Sequence, residues 1–167
     1  MIMSEKSAAP ALMTAAEIMT GKVISVHPSD AVSVIARHLA THGISAAPVV
    51  DAQGKLVGMV SEGDIMRPFG AKNQMRRAWW LEMLAEGEDL APDFLEYIKQ
   101  DNRKAADLMS REVVSVPETA SLGEIADILA EHHIKRVPVV KDGRVVGIVS
   151  RADIVRALAH LPRAGRA

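Results

Sequence analysis

Ile44-Ser-Ala-Ala-Pro-Val-Val50, followed after a short turn by Leu56-Val-Gly-Met-Val-Ser-Glu-Gly-Asp-Ile65, returns later in the chain as Ile134-Lys-Arg-Val-Pro-Val-Val140 and Val145-Val-Gly-Ile-Val-Ser-Arg-Ala-Asp-Ile154. Both paired runs are β-branched and largely apolar around a turn, which predicts a hairpin buried on one or both faces. A Ser then opens a helix. The copies extend outward from about Ala16 to Arg67 and from about Ala106 to Arg156, with about 22 identities over some 51 aligned residues. Duplication at that distance is too far apart for a solenoid and too close for two large independent domains. It predicts one two-lobed domain with pseudo-twofold symmetry and paired clefts.

The remainder of each copy follows from local signals. Thr14-Ala-Ala-Glu17 has the form of a capping box and starts a short helix. A strand over Val23 to Val26 follows, matched by Val113 to Val116. Ser29 or Asp30 can cap a helix whose apolar stripe is Val32, Ile35 and Leu39, matched by Leu122, Ile125 and Leu129. Gly43 suits a left-handed stop, and His133 replaces it in the second copy. The order per copy is helix, strand, helix, strand, strand, helix, so the fold class is α/β, a mixture of helices and strands in two pseudo-symmetric repeats. The expected boundaries are a tail over 1–13, repeats over 14–67 and 104–160, an insert over 68–103 and a tail over 161–167.

The insert is a different kind of sequence. All five aromatic residues lie in it: Phe69, Trp79, Trp80, Phe94 and Tyr97. Helical spacing over Gln74 to Glu86, a stop at Gly87 and Pro92 at the start of a second helical stretch predict a helical hairpin. These aromatics either pack the hairpin onto the lobes or, since adjacent Trp79 and Trp80 cannot both face inward, leave an apolar surface for a partner.

Composition narrows the function classes. With 167 residues, 49% of them apolar, the chain can bury a core. A formal net charge of -1 disfavours nucleic acid as the main partner. The absence of cysteine removes disulfides, thiol nucleophiles and thiolate metal sites. No apolar run approaches the ~18–20 residues needed to span a bilayer, so no membrane partner is expected and the cytoplasm is the expected location.

The chemistry concentrates in Gly58-Met-Val-Ser61-Glu-Gly-Asp64 and Gly147-Ile-Val-Ser150-Arg-Ala-Asp153. Each places a Ser at a strand-to-helix junction and an Asp one turn into the helix. A hydroxyl and free backbone N–H groups there can hold a phosphate, and a carboxylate can accept two hydrogen bonds from vicinal sugar hydroxyls. The same residues can instead simply start a helix as a capping box. Duplication, the preceding Gly and the use of Asp in place of Glu favour a ribonucleotide site.

The whole set (Met-Thr/Ser, Ser-Val, Pro-Val-Val, Gly-x-Val-Ser-x-x-Asp-Ile, each twice) resembles a tandem pair of cystathionine-β-synthase (CBS) domains, a Bateman module, over about 100 of the 167 residues. The insert with Arg76-Arg-Ala-Trp-Trp80 resembles a bacterial subgroup of small CBS-pair proteins. The resemblance implies a regulatory module that binds an adenosyl ligand such as AMP, ADP, ATP or NAD, with S-adenosylmethionine less favoured and no metal expected. It also implies a homodimer acting on an unidentified regulated protein. Carried over, one site joins Ser61 and Asp64 to Ile134, Lys135 and Arg136, and the other joins Ser150 and Asp153 to His27, Val32, Ile44, Ser45 and Ala46. Lys135 and Arg136 can neutralise phosphate charge where Ser45 and Ala46 cannot. Tighter, more phosphate-dependent binding is therefore expected at the Asp64 site.

Two other readings compete. His38 and His42 lie one helical turn apart, with His132-His133 in addition, but no third ligand completes a metal site in the sequence. No nucleophile-base constellation stands out either, so the chain is not expected to be an enzyme. The remaining alternative is a ligand-independent interaction scaffold that uses the aromatic insert.

Overall fold

The computed structural model describes residues 13–66 and 102–161. The hairpin expected over 68–103, with Trp79, Trp80 and the other aromatics, lies outside the described residues except for its last two positions. The chain forms two compact units, one over Ile24–Val113 and one built from Met1–Val23 together with Val114–Ala167.

In the first unit, helix α2 (Val32–His42) leads to strands β1 (Ala46–Val50) and β2 (Leu56–Ser61), helix α3 (Glu62–Met66) and the short helix α4 (Ala105–Leu108). The strands form the expected antiparallel hairpin, with Ala46 opposite Ser61 and Pro48 opposite Met59. The stripe Val32, Ile35 and Leu39 is buried against Ala47, Val49, Val60 and Ile65. Spacing of three and four residues along α2 puts those side chains on one face, and their burial is the main stabilising term for so short a helix.

The second unit contains α1 (Ala15–Ile18), β3 (Val116–Pro117), α5 (Leu122–Glu131), β4 (Arg136–Lys141), β5 (Arg144–Ser150) and α6 (Arg151–Ala159). Its sheet has the order β3-β4-β5, parallel between the first two and antiparallel between the last two. Leu122, Ile125 and Leu129 pack with Val137, Val139, Val149 and Ile154.

Each copy surrenders its leading helix. The sequence repeat places α1 with the first copy and α4 with the second, yet α1 sits in the unit of the second copy and α4 in that of the first. Ala15 and Ala16 donate their N–H groups to the carbonyls of Ala120 and Glu118 (2.8 and 3.0 Å), and Ala105 and Ala106 donate to Asp30 and Pro28 (2.8 and 3.0 Å). A four-residue helix satisfies almost none of its own backbone groups, so it persists only where a neighbouring chain segment takes its N–H groups.

Side-chain packing locks the same exchange. A Cβ on Gly147 would lie 2.7 Å from Met19 Cγ, and one on Gly58 would lie 2.8 Å from Met109 Cγ. The duplicated glycine is thus the seat for the methionine of the Met-Thr/Ser pair carried in from the other copy. Gly147→Ala is expected to destabilise the protein by about 1–3 kcal/mol through overpacking. An unchanged urea midpoint would show that Met19 moves aside freely.

Several local expectations hold. Gly43 and His133 both adopt left-handed φ, at 60° and 52°. Glu17 accepts hydrogen bonds from the Thr14 N–H (2.6 Å) and hydroxyl (3.1 Å).

Two local expectations need correction. Neither Ser29 nor Asp30 caps α2: the N-cap is Ala31, and Val32 donates its N–H to the Arg103 carbonyl at 3.3 Å. Asp30 instead accepts from the His27 N–H at 2.7 Å, closing the turn before the helix. The strand over Val23 to Val26 shrinks to one parallel bridge between Val26 and Val49, and its counterpart to Val116–Pro117. The flanking residues make no ladder because only one or two positions lie alongside the hairpin edge.

Candidate ligand site

The strand-to-helix junctions are alike in both units. β2 runs directly into α3 and β5 directly into α6, with no intervening loop. Ser150 keeps extended backbone geometry, φ -107° and ψ 167°, and is the N-cap of α6. Its N–H and its hydroxyl both donate to Asp153 Oδ2, at 2.7 and 2.9 Å, while the Asp153 N–H donates to Ser150 Oγ at 3.3 Å. The first unit repeats this arrangement between Ser61 and Asp64 at 2.8, 3.0 and 3.3 Å.

Both carboxylates are buried, Asp64 at 5% and Asp153 at 7% exposure. Among the described residues they are the buried polar or charged side chains. Burying a carboxylate is costly unless its lone pairs are filled, and the cap fills those of Oδ2. The capping role is therefore real in both copies, and a ligand role would use the other oxygen.

This geometry changes how a phosphate could be held. The Ser61 and Ser150 N–H groups are taken by their own Asp, and those of Glu62 and Arg151 go to the carbonyls of Ser45 (2.9 Å) and Lys135 (3.0 Å). The Asp64 and Asp153 N–H groups go to the Ser hydroxyls. The expectation of free N–H groups and a free hydroxyl at the helix start is not met at these positions, because the Asp returns to fill them. Side-chain cations near the junction are therefore the groups with charge to offer a phosphate.

The hairpin register sets which cations are near. Arg136 stands directly opposite Ser150 on β4 and β5, as Ala46 stands opposite Ser61. Directly opposed residues of an antiparallel pair share a face of the sheet. Within the second unit the structure therefore brings Arg136 beside the Ser150–Asp153 junction, with Ile134 accepting a hydrogen bond from Arg151 Nε at 3.1 Å. Lys135 is exposed. Within the first unit Ser45 and Ala46 adjoin Ser61, and Ile44 follows α2, donating its N–H to Leu39 at 3.0 Å. His27 is exposed, its Nδ1 2.8 Å from Ser29 Oγ, whereas Val32 is fully buried in the core.

A cleft of about 340 Å³ opens at Asp153, between α1 and α6 of the second unit. That volume falls in the range of small-molecule sites. Met19, Ile18 and Ala157 give it apolar wall, and Glu17, Thr20, Arg156 and His160 give it polar groups. The Thr14 N–H, and after it the Thr14 hydroxyl, hold the Glu17 carboxyl below the usual carboxylate range. Arg156, Glu17 and His160 are not among the site residues expected from the sequence, where Glu17 figures only as the capping partner of Thr14. The signal for Arg156 was present: Arg67 and Arg156 are identical positions that end the two copies, three residues after the Asp.

His38 and His42 stack with ring centroids 5.9 Å apart, and His42 Nδ1 lies 2.9 Å from the His38 carbonyl. Among the described residues no group of three or more His, Cys, Asp or Glu side chains is placed to hold a metal ion. None of the described helices is long and apolar enough to cross a membrane.

Comparison with known proteins agrees with this architecture. A family model, CBS domain, matches residues 15–70 and 105–160. Hypoxic response protein 1 of Mycobacterium tuberculosis is 29% identical, and its crystal structure, with two coordinated zinc ions, superposes with a TM-score of 0.63 over 90% of this chain and 100% of that one. The structure of CBSX2 in complex with AMP is 26% identical, with a TM-score of 0.66 over 88% of this chain and 96% of that one. The CBS domain pair of protein MJ0100, in complex with 5′-methylthioadenosine and S-adenosyl-L-methionine, is 27% identical with a TM-score of 0.63 over 89% and 97%. With both repeats matched and the mixed helix-and-strand architecture shared, this chain belongs to the CBS-domain family and is a CBS pair.

Proposed function

We propose that the protein is a regulatory module that binds an adenosyl ligand and, through it, modulates a partner protein. The observation that carries this reading is the duplicated buried carboxylate, Asp64 and Asp153, each held at a strand-to-helix junction and, in the second unit, facing a cleft of ligand size. A carboxylate buried this deeply, with Oδ2 fixed by its own helix cap, is suited to accept the two hydroxyls of a ribose on Oδ1 once any side chain there is displaced. The solved relatives in complex with AMP and with S-adenosyl-L-methionine support the ligand class. Asp64 and Asp153 accept the ribose hydroxyls, Ser61 and Ser150 hold those carboxylates in place, and Lys135 and Arg136 supply phosphate charge.

AMP, ADP, ATP and NAD are the favoured ligands, because cationic side chains rather than helix-start N–H groups are what this chain offers beside Asp153. Regulation requires that the ligand bind two conformations unequally, since equal affinity shifts no population. The exposed apolar side chains Val155 and Leu158, three residues apart on α6, support pairing with a second copy.

A thermal-shift panel of AMP, ADP, ATP, NAD, NADH and S-adenosylmethionine on nucleotide-stripped protein tests the reading. At about 100 times its dissociation constant a ligand is expected to add roughly 2.7 kcal/mol, a rise of several degrees for a chain of this size. No shift with any of them at millimolar concentration would overturn the proposal in favour of a ligand-independent scaffold.

A further inference from the structure

The two oxygens of Asp153 are occupied differently. Oδ2 accepts from the backbone and hydroxyl of Ser150 and belongs to the fold. Oδ1 accepts from Arg156 Nη2, one turn further along α6. The Arg156 side chain is 67% exposed against 7% for Asp153, so the guanidinium reaches a buried acceptor from solvent. Both residues line the cleft between α1 and α6. Of the other charged or titratable groups there, Glu17 is engaged by Thr14, and His160 has its Nδ1 on the Arg156 carbonyl at 2.7 Å.

We infer that Arg156 is a specificity-determining residue that selects 5′-phosphorylated ribonucleosides over neutral or cationic ones at the Asp153 site. In the free protein it covers Oδ1, the oxygen a ribose diol needs. A nucleoside must displace it and leaves it without a partner. A nucleotide displaces it as well but offers it a phosphate, so the charge-assisted bond lost on Asp153 is replaced by one on the ligand. A sulfonium ligand places a positive charge near the released guanidinium and is disfavoured. The absence of free N–H groups at Ser150, Arg151 and Asp153 strengthens the argument, because those positions offer no competing phosphate donor. The Asp-x-x-Arg spacing recurs at Asp64 and Arg67. The inference rests on the reading that Asp153 accepts a ribose.

The test is calorimetric titration of the full chain and of Arg156→Gln with adenosine and with AMP. Releasing an ion pair whose cation is solvent-exposed is expected to tighten adenosine by up to about fivefold. Losing a charge-assisted phosphate contact is expected to weaken AMP by about tenfold or more. Arg156→Lys keeps the charge without the planar fork and should fall between them, which guards against a folding defect in the Gln variant. If AMP and adenosine change by the same factor in both variants, Arg156 does not select phosphate and the inference is overturned. If neither compound binds even the unaltered protein, the adenosyl reading fails and the inference falls with it.

Discussion

Replacing Asp153 or Asp64 with Ala is expected to weaken adenosyl-ligand binding by about tenfold to hundredfold at the altered site. The ribose hydrogen bonds to a charged acceptor are worth roughly 1.5–3 kcal/mol, and each 1.4 kcal/mol is tenfold. The same carboxylates also cap α3 and α6, so each variant is expected to lose about 0.5–2 kcal/mol of stability as well. The two effects separate through Ser150→Ala. That change removes the Ser hydroxyl's bonds to the Asp153 carboxylate and N–H but keeps the carboxylate. It should lower the unfolding midpoint while leaving much of the affinity. Calorimetric titration together with thermal denaturation of the three variants makes the comparison. Asp153→Ala and Asp64→Ala proteins that remain folded and bind AMP unchanged would show that these aspartates serve the helix alone.

The second large effect lies in the core. Ile125 on α5 is fully buried, and truncation to Ala is expected to cost about 2–5 kcal/mol, on the order of 10 °C in melting temperature. Asp127, two residues on and exposed, lies away from that stripe, and Asp127→Ala is expected to stay within about 0.5 kcal/mol. Urea unfolding followed by circular dichroism distinguishes them. Equal midpoints would mean that the apolar stripe of α5 does not pack as the structure has it. Ile35 on α2 holds the corresponding place in the first unit.

The local elements were legible because their signals are short-range. The largely apolar runs of β1 and β2, the stripe on α2 and α5, the left-handed residues Gly43 and His133 and the Thr14–Glu17 box all depend on neighbours within a few positions. The start of α2 was misread for the opposite reason. Ser29 and Asp30 have capping chemistry, but Arg103, far away in sequence, supplies the carbonyl that takes the Val32 N–H. That left Asp30 free to close the His27 turn.

The sequence by itself determined the duplication, the hairpin with its following helix, and the Ser-x-x-Asp pairs as the place where chemistry could occur. Residue type and spacing are enough to set those. Tertiary structure alone decided three things. It sent each leading helix to the other copy, because four residues cannot satisfy their own backbone groups and need a partner surface, which Gly58 and Gly147 open to Met109 and Met19. It turned the Ser61 and Ser150 N–H groups onto Asp64 and Asp153, since a buried carboxylate must be saturated. It also set Arg136 opposite Ser150 and Arg156 on the Asp153 carboxylate, because strand register and the turn of a helix, which only a folded chain possesses, decide which charges stand near that junction.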